Sequence, residues 1–173
     1  MYKISTSILS SNNLTNTIEK LNKSITDYIH LDIMDGLFVP NTKFSIEELK
    51  NILPLINKPI DIHLMVENPL PYIKAINNPN VKYITIHIEI NQDINSLIDT
   101  IKSSGYKACL AIKPNTNIEE IIPYIEKIDM VLIMSVEPGF GGQEFIPNTI
   151  NRIKEIKELN PNLIIEVDGG IKN

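Results

Sequence analysis

The sequence predicts an α/β chain folded as one domain over residues 1–173, with the architecture of a TIM (β/α)8 barrel truncated after the seventh strand. Three observations carry this expectation. Seven short β-branched or apolar segments alternate strictly with amphipathic stretches, the pattern of right-handed βαβ units in a parallel sheet. Three of the apolar segments, Tyr28-Ile29-His30-Leu31-Asp32, Pro59-Ile60-Asp61-Ile62-His63 and Leu163-Ile164-Ile165-Glu166-Val167-Asp168-Gly169-Gly170, deliver acidic or imidazole side chains toward their C-terminal ends, where a parallel barrel gathers its functional groups. Finally, no G-x-G-x-x-G turn follows the first strand, which weighs against an open, doubly wound sheet.

In chain order, Lys3 to Leu9 reads as the first strand, and Leu14 to Leu21 as a helix with Leu14, Ile18 and Leu21 on one stripe. Tyr28 to Asp32 is the second strand. Ser45 opens a helix over Ile46 to Leu55, because Ser45 and Glu48 have the spacing of a capping box. Ile60 to Met65 and Tyr83 to Ile88 follow as the third and fourth strands, then a helix over Ile94 to Ile101 and the fifth strand over Lys107 to Ile112. Asn117 with Glu120 repeats the start signal before a helix over Ile118 to Ile125. Met130 to Met134, a helix over Thr149 to Leu159 and a seventh strand over Leu163 to Val167 complete the alternation. The chain stops at Ile171-Lys172-Asn173, so the eighth βα unit is expected to be missing. The two sheet edges this leaves unpaired would invite association into a homo-oligomer.

Composition narrows the function classes. With 43% hydrophobic and 21% charged residues the chain can bury one substantial core, and a net charge of -5 with dispersed lysines argues against nucleic acid or an anionic membrane as partner. The single Cys109 can form no internal disulfide or thiolate cluster, and neither a signal-peptide stretch nor a run of about 20 apolar residues is present; a cytoplasmic setting is expected.

The chemistry-bearing residues sit at strand ends. Side chains two apart on a strand share a face, so His30 and Asp32 point the same way and form a pair of potential ligands. Two imidazoles and two carboxylates from three strands converge only if those strands bring their C-terminal ends together. After the sixth strand, Pro138-Gly139-Phe140-Gly141-Gly142 frees consecutive N–H groups to line an anion pocket. Asp168 precedes Gly169 and Gly170, which can do the same. His87 and Glu89 repeat the two-residue spacing and are expected to pack or support rather than touch a substrate, while Met34, Met65 and Met134 recur at strand ends as candidate walls.

Five segments, Ser7-Ile8-Leu9-Ser10, His30 through Asn41, Asp61-Ile62-His63-Leu64-Met65-Val66, Val136 through Gln143 and Val167-Asp168-Gly169-Gly170-Ile171, resemble the signature segments of the ribulose-phosphate 3-epimerase family, in order along the whole chain. The resemblance implies a TIM barrel that interconverts D-ribulose 5-phosphate and D-xylulose 5-phosphate with one divalent metal ion. It implies His30, Asp32, His63 and Asp168 as metal ligands and Asp32 and Asp168 as the catalytic acid/base pair. Ser7, His63, Gly139, Phe140, Gly141, Gly142, Gly169 and Gly170 are implied as substrate-binding residues. The chemistry agrees: inverting a carbon beside a ketone needs a proton removed on one face and returned on the other, with an enediolate stabilised between. Mixed imidazole and carboxylate ligands suit Zn, Fe, Mn or Co. A six-carbon ketose phosphate such as allulose 6-phosphate is the alternative substrate, and a non-catalytic sugar-phosphate-binding fragment the alternative role.

Overall fold

The computed structural model describes residues 2–171; Met1, Lys172 and Asn173 of the sequence reading lie outside the described residues. Seven parallel strands run in the order β1 (Ser5–Ser7), β2 (Tyr28–Asp35), β4 (Ile60–Met65), β5 (Val81–His87), β6 (Lys107–Ile112), β7 (Met130–Met134) and β8 (Ile164–Asp168), with the two-residue β3 (Thr42–Lys43) antiparallel to β2. Between them lie helices α1 (Leu14–Asn22), α2 (Ile46–Ile52), α3 (Leu70–Ala75), α4 (Ile94–Ser103) and α5 (Thr149–Leu159). In a flat sheet β2 and β8 would stand five strand spacings apart, about 24 Å. Yet His30 Nδ1 of β2 lies 3.7 Å from Glu166 Oε1 of β8, and His63 Nδ1 of β4 lies 3.7 Å from Asp168 Oδ2. The sheet is therefore curled into a barrel wall, closed over its interior by side chains.

Strand alternation sorts the residues onto two sides of that wall. Ile29, Leu31, Ile33, Ile60, Ile62, Leu64, Ile84 and Ile86 face outward and join the helices' Ile18, Leu49, Ile73, Leu97, Ile98 and Ile156 in the main core. Inside the barrel, Tyr83, Cys109 and Met130 pack at the N-terminal end, and Met34, Val39 and Met65 at the C-terminal end. Between these layers sit buried polar groups: His30, Asp32, Asp61, His63, Thr85 and His87. A barrel interior this polar is built to hold something.

The predicted helix starts meet two outcomes. At Ser45 the capping box forms, with Ser45 Oγ accepting from the Glu48 N–H at 3.3 Å and Glu48 Oε2 accepting from the Ser45 N–H at 2.8 Å. The helix expected over Ile118 to Ile125 is instead a 3-10 helix, Ile118–Tyr124. Pro123 has no N–H to give and its ring would strike the carbonyl four residues back, so the wider α-turn is refused. Asn117 accordingly caps the Glu119 N–H at 3.3 Å, one residue earlier than predicted. Pro54 likewise ends α2 at Ile52, with a 3-10 turn over Leu53–Leu55. The expected strand from Lys3 to Leu9 shrinks to three residues, while α3 and β3 are too short to show a period.

Arg152 of α5 ties the rim together. Its buried guanidinium donates from Nη1 to the Lys113 and Pro114 carbonyls and from Nη2 to the Thr116 carbonyl at 2.7 Å, clamping the loop after β6. Charge-assisted hydrogen bonds of this kind contribute about 1.5–3 kcal/mol each, part of which water recovers when the side chain is removed. Arg152→Ala is therefore expected to destabilise the fold by about 3 kcal/mol, lowering Tm by about 6–12 °C. Thermal unfolding followed by circular dichroism checks this; a loss no larger than that of the exposed Lys154→Ala, about 0.5 kcal/mol, would show the clamp to be dispensable.

Candidate active site

The strand expected to end at Asp32 runs on to Asp35, so His30 and Asp32 lie within β2, and strand register brings distant residues level: Ser7 opposite His30, Asp32 opposite His63, and Met134 opposite Asp168. His30 Nε2 stands 3.3 Å from Asp32 Oδ1, and His63 Nδ1 stands 3.5 Å from the same oxygen. His30, Asp32, His63 and Asp168 each offer one ligand atom within 4.8 Å of the others. The two histidines and Asp32 are buried, while the Asp168 side chain keeps 26% of its surface open to the cavity.

Hydrogen bonding on the far sides of the rings is tight. His30 Nδ1 lies 2.7 Å from Asp61 Oδ2, and since a carboxylate only accepts, Nδ1 carries the hydrogen. His63 Nε2 lies 2.9 Å from His87 Nε2. The near-side atoms, His30 Nε2 and His63 Nδ1, are buried without a hydrogen-bond partner. Orphaned ring nitrogens and two carboxylates facing one space form a donor set for a divalent cation, and imidazole backed by carboxylate is how such ligands are held.

The electrostatics agree with that demand for positive charge. Burial opposes charge on His30, but Asp32 and Asp61 beside it override burial and raise its pKa well above the usual imidazole range. Asp32 is held well below the usual carboxylate range by His30 and His63 despite its burial. Asp168 is shifted the other way, raised by burial and by the neighbouring Asp32 charge against the pull of His30. Glu166 is pushed up to about 9 by burial and by Asp61.

Above the cluster opens a cavity of about 210 Å³ whose wall includes Ser7, Asp32, Asp168 and the loop from Pro138 to Gln143. Met34, Met65 and Met134 line it as well. Ser7 Oγ donates to Asp32 Oδ2 at 2.6 Å and accepts the Leu9 N–H at 3.0 Å, so it braces the carboxylate from above. Gln143 Nε2 donates to the Glu137 and Phe140 carbonyls at 2.6 and 2.8 Å and folds Gly139, Phe140, Gly141 and Gly142 over the mouth. Gly169 and Gly170 have φ of +106° and +66°; a Cβ on the first would collide with Val136, and one on the second would come within 2.5 Å of the Phe145 backbone nitrogen. Only glycine fits that turn.

Three supporting residues lie outside the set picked out from the sequence. Asp61 and Glu166 share a strand face with His63 and Asp168, two positions away, and strand alternation alone pointed them inward. Ser135 Oγ donates to the Asp168 and Gly169 carbonyls at 2.8 and 2.6 Å, fixing the turn that carries Asp168, and no local pattern marks it.

The ribulose-phosphate 3 epimerase family matches residues 3–173. The chain is 37% identical to the cytoplasmic isoform of ribulose-phosphate 3-epimerase from Oryza sativa subsp. japonica, over 98% of this chain and 77% of that protein. It is 38% identical to the Bacillus subtilis (strain 168) ribulose-phosphate 3-epimerase, over 99% and 82%, and 43% identical to that of Aquifex aeolicus (strain VF5), over 84% and 68%. Among solved structures, a mutant tryptophan synthase alpha-subunit from Pyrococcus furiosus superposes with a TM-score of 0.70 at 16% identity, covering 99% of this chain and 80% of that one, a likeness of fold alone. The chain belongs to the ribulose-phosphate 3 epimerase family, a family of isomerases acting on carbohydrates.

Proposed function

We propose that this chain is a metal-dependent epimerase that interconverts D-ribulose 5-phosphate and D-xylulose 5-phosphate by proton transfer at C3 through an enediolate. The observation that carries the reading is the pair of buried, unpartnered nitrogens, His30 Nε2 and His63 Nδ1, facing Asp32 and Asp168 at the barrel mouth of a chain of this family. His30, Asp32, His63 and Asp168 would hold one divalent ion; Zn, Fe, Mn and Co all suit such ligands. When bound, the ion supplies positive charge for the negative charge that develops on the substrate oxygens.

Asp32 and Asp168 act as the two proton carriers, one for each face of the reacting carbon. Asp32, which accepts from Ser7 Oγ at 2.6 Å, and Asp168, at the cavity wall, each serve as base in one direction of the reaction and as acid in the other. The N–H groups of the loop from Gly139 to Gly142 and of Gly169 and Gly170 grip the phosphate. Met34, Met65 and Met134 keep water from the exposed carbanion face. Among the described residues no helix is long and apolar enough to cross a membrane, and the likeness to a cytoplasmic isoform from Oryza sativa supports a cytoplasmic setting.

Two measurements test this. The purified chain is expected to bind one divalent ion, and chelation to abolish turnover in a coupled assay of ribulose 5-phosphate epimerisation; His63→Ala should weaken binding by more than about 100-fold, beyond what loss of a supporting residue costs. Unchanged stoichiometry and affinity in that variant would remove His63 from the site. Asp168→Asn is expected to lower turnover by about 10²–10⁴-fold. It should also block solvent-deuterium wash-in at one face while the other epimer still exchanges. Equal loss from both epimers, with metal retained, would point to a single shuttling base.

A further inference from the structure

We propose that Glu89 and His87 form a positioning arm that sets the tautomer of His63 and so aims its Nδ1 lone pair at the Asp32 and Asp168 carboxylates. The inference rests on the metal-dependent reading above and concerns residues that reading does not use. His87 closes β5 and Glu89 follows two residues later. Glu89 is fixed on both oxygens: Oε2 lies 2.9 Å from His87 Nδ1, while Oε1 accepts from the Lys113 N–H at 2.6 Å and from Thr116 Oγ1. Those two donors belong to the loop that Arg152 clamps. The anchor is thus rigid and remote from the cavity.

Hydrogen-bond direction then propagates by elimination. A carboxylate only accepts, so His87 Nδ1 carries the hydrogen. His87 is fully buried and its ring packs 4.6 Å from the Phe38 ring, over which the Lys113 ammonium sits at 3.9 Å. The tautomer fixed by Glu89 offers Nε2 as a lone pair, and its hydrogen-bond partner among the described residues, His63 Nε2 at 2.9 Å, is the donor. The ligand tautomer with its hydrogen on Nε2 leaves the Nδ1 lone pair free for a cation. That atom is the buried nitrogen without a partner, 3.5 Å from Asp32 and 3.7 Å from Asp168. The two histidines of the cluster thus present opposite ring atoms. His30 is fixed through Nδ1 by Asp61 and presents Nε2, while His63 is fixed through Nε2 and presents Nδ1. A carboxylate in place of His87 could also accept from His63, but it would add another negative charge to an interior already holding Asp32, Asp61 and Asp168; a neutral imidazole passes the direction on without the charge.

Zn²⁺ is the probe. In the Zn²⁺-loaded wild-type chain labelled with ¹⁵N-histidine, NMR is expected to show His63 protonated at Nε2 and bare at Nδ1. His87→Gln keeps an acceptor oxygen near the lost nitrogen and should keep wild-type Zn²⁺ affinity in chelator competition. His87→Leu strands the His63 donor, and Glu89→Gln permits the reversed tautomer; each should bind about 10–100-fold more weakly. A hydrogen on His63 Nδ1 in the wild-type spectrum overturns the proposal, and that spectrum decides even if His87→Leu fails to fold. Wild-type affinity in His87→Leu overturns it too, provided His63→Ala loses binding. Should His63→Ala itself bind Zn²⁺ like wild type, the metal reading fails and the positioning role falls with it.

Discussion

The interior of this barrel must keep acceptors facing acceptors. Asp32, Asp168, His30 Nε2 and His63 Nδ1 share one small space in which the described residues offer no hydrogen-bond donor to either nitrogen, and every element around that space is arranged to preserve the arrangement. Asp61 takes the one hydrogen of His30, His87 takes that of His63, and Ser7 approaches Asp32 from the outer side. Left without a cation, such a cluster recruits a proton, which is why the charges of Asp32 and Asp61 raise the pKa of His30 in spite of burial. Proton and metal are alternative occupants of one demand for positive charge.

The fold supplies what the cluster cannot: rigidity without flexible loops. Each residue of the cluster rises from a strand whose outward face is locked into the helix-packed core by isoleucine, leucine and valine, so turning any one of them requires shearing a β-branched layer. The supports are similarly rooted. Glu89 is gripped by the loop after β6, that loop is gripped by Arg152 from α5, and α5 buries Ile156 in the same core. The exception is β8, whose residues are all exposed or half-buried, and there Ser135 and the tight fit of Gly169 against Val136 fix the position of Asp168.

Much of this was legible in the sequence, for identifiable reasons. The limits of β4, β6, β7 and α5 fall where apolar runs and turn residues put them, because those segments have no local competitor for their pattern. The stretch after Asn117 misled because the apolar spacing of three and four suits both helix types, and Pro123 decides between them. His30, Asp32, His63 and Asp168 could be picked out at strand ends. His87 and Glu89 could be marked as supports by their spacing, but which ligand each support meets depends on the relative height of strands far apart in sequence. The pairing of β4 with β5 slips by one residue between Ile60 and Asp61, and that slip sets which residue of β5 meets His63. No pattern within either strand encodes it. Nor does any composition signal mark Ser135, a common residue whose importance lies wholly in which two carbonyls it reaches.

The two aspartates illustrate how one kind of side chain is divided into two chemical roles by its surroundings. Asp32 is sealed between two imidazoles and a serine hydroxyl, and these contacts outweigh the cost of burying its charge. Asp168 sits at the end of the edge strand β8, where burial and the charges of Asp32 and Asp61 outweigh the pull of His30 and His63. In the proposed epimerisation each of the pair would serve one face of the reacting carbon, giving a proton in one direction and taking it in the other. The asymmetry does not come from the residues, which are identical, but from their placement: one faces inward on a fully paired strand, and the other stands at a glycine turn at the edge of the sheet.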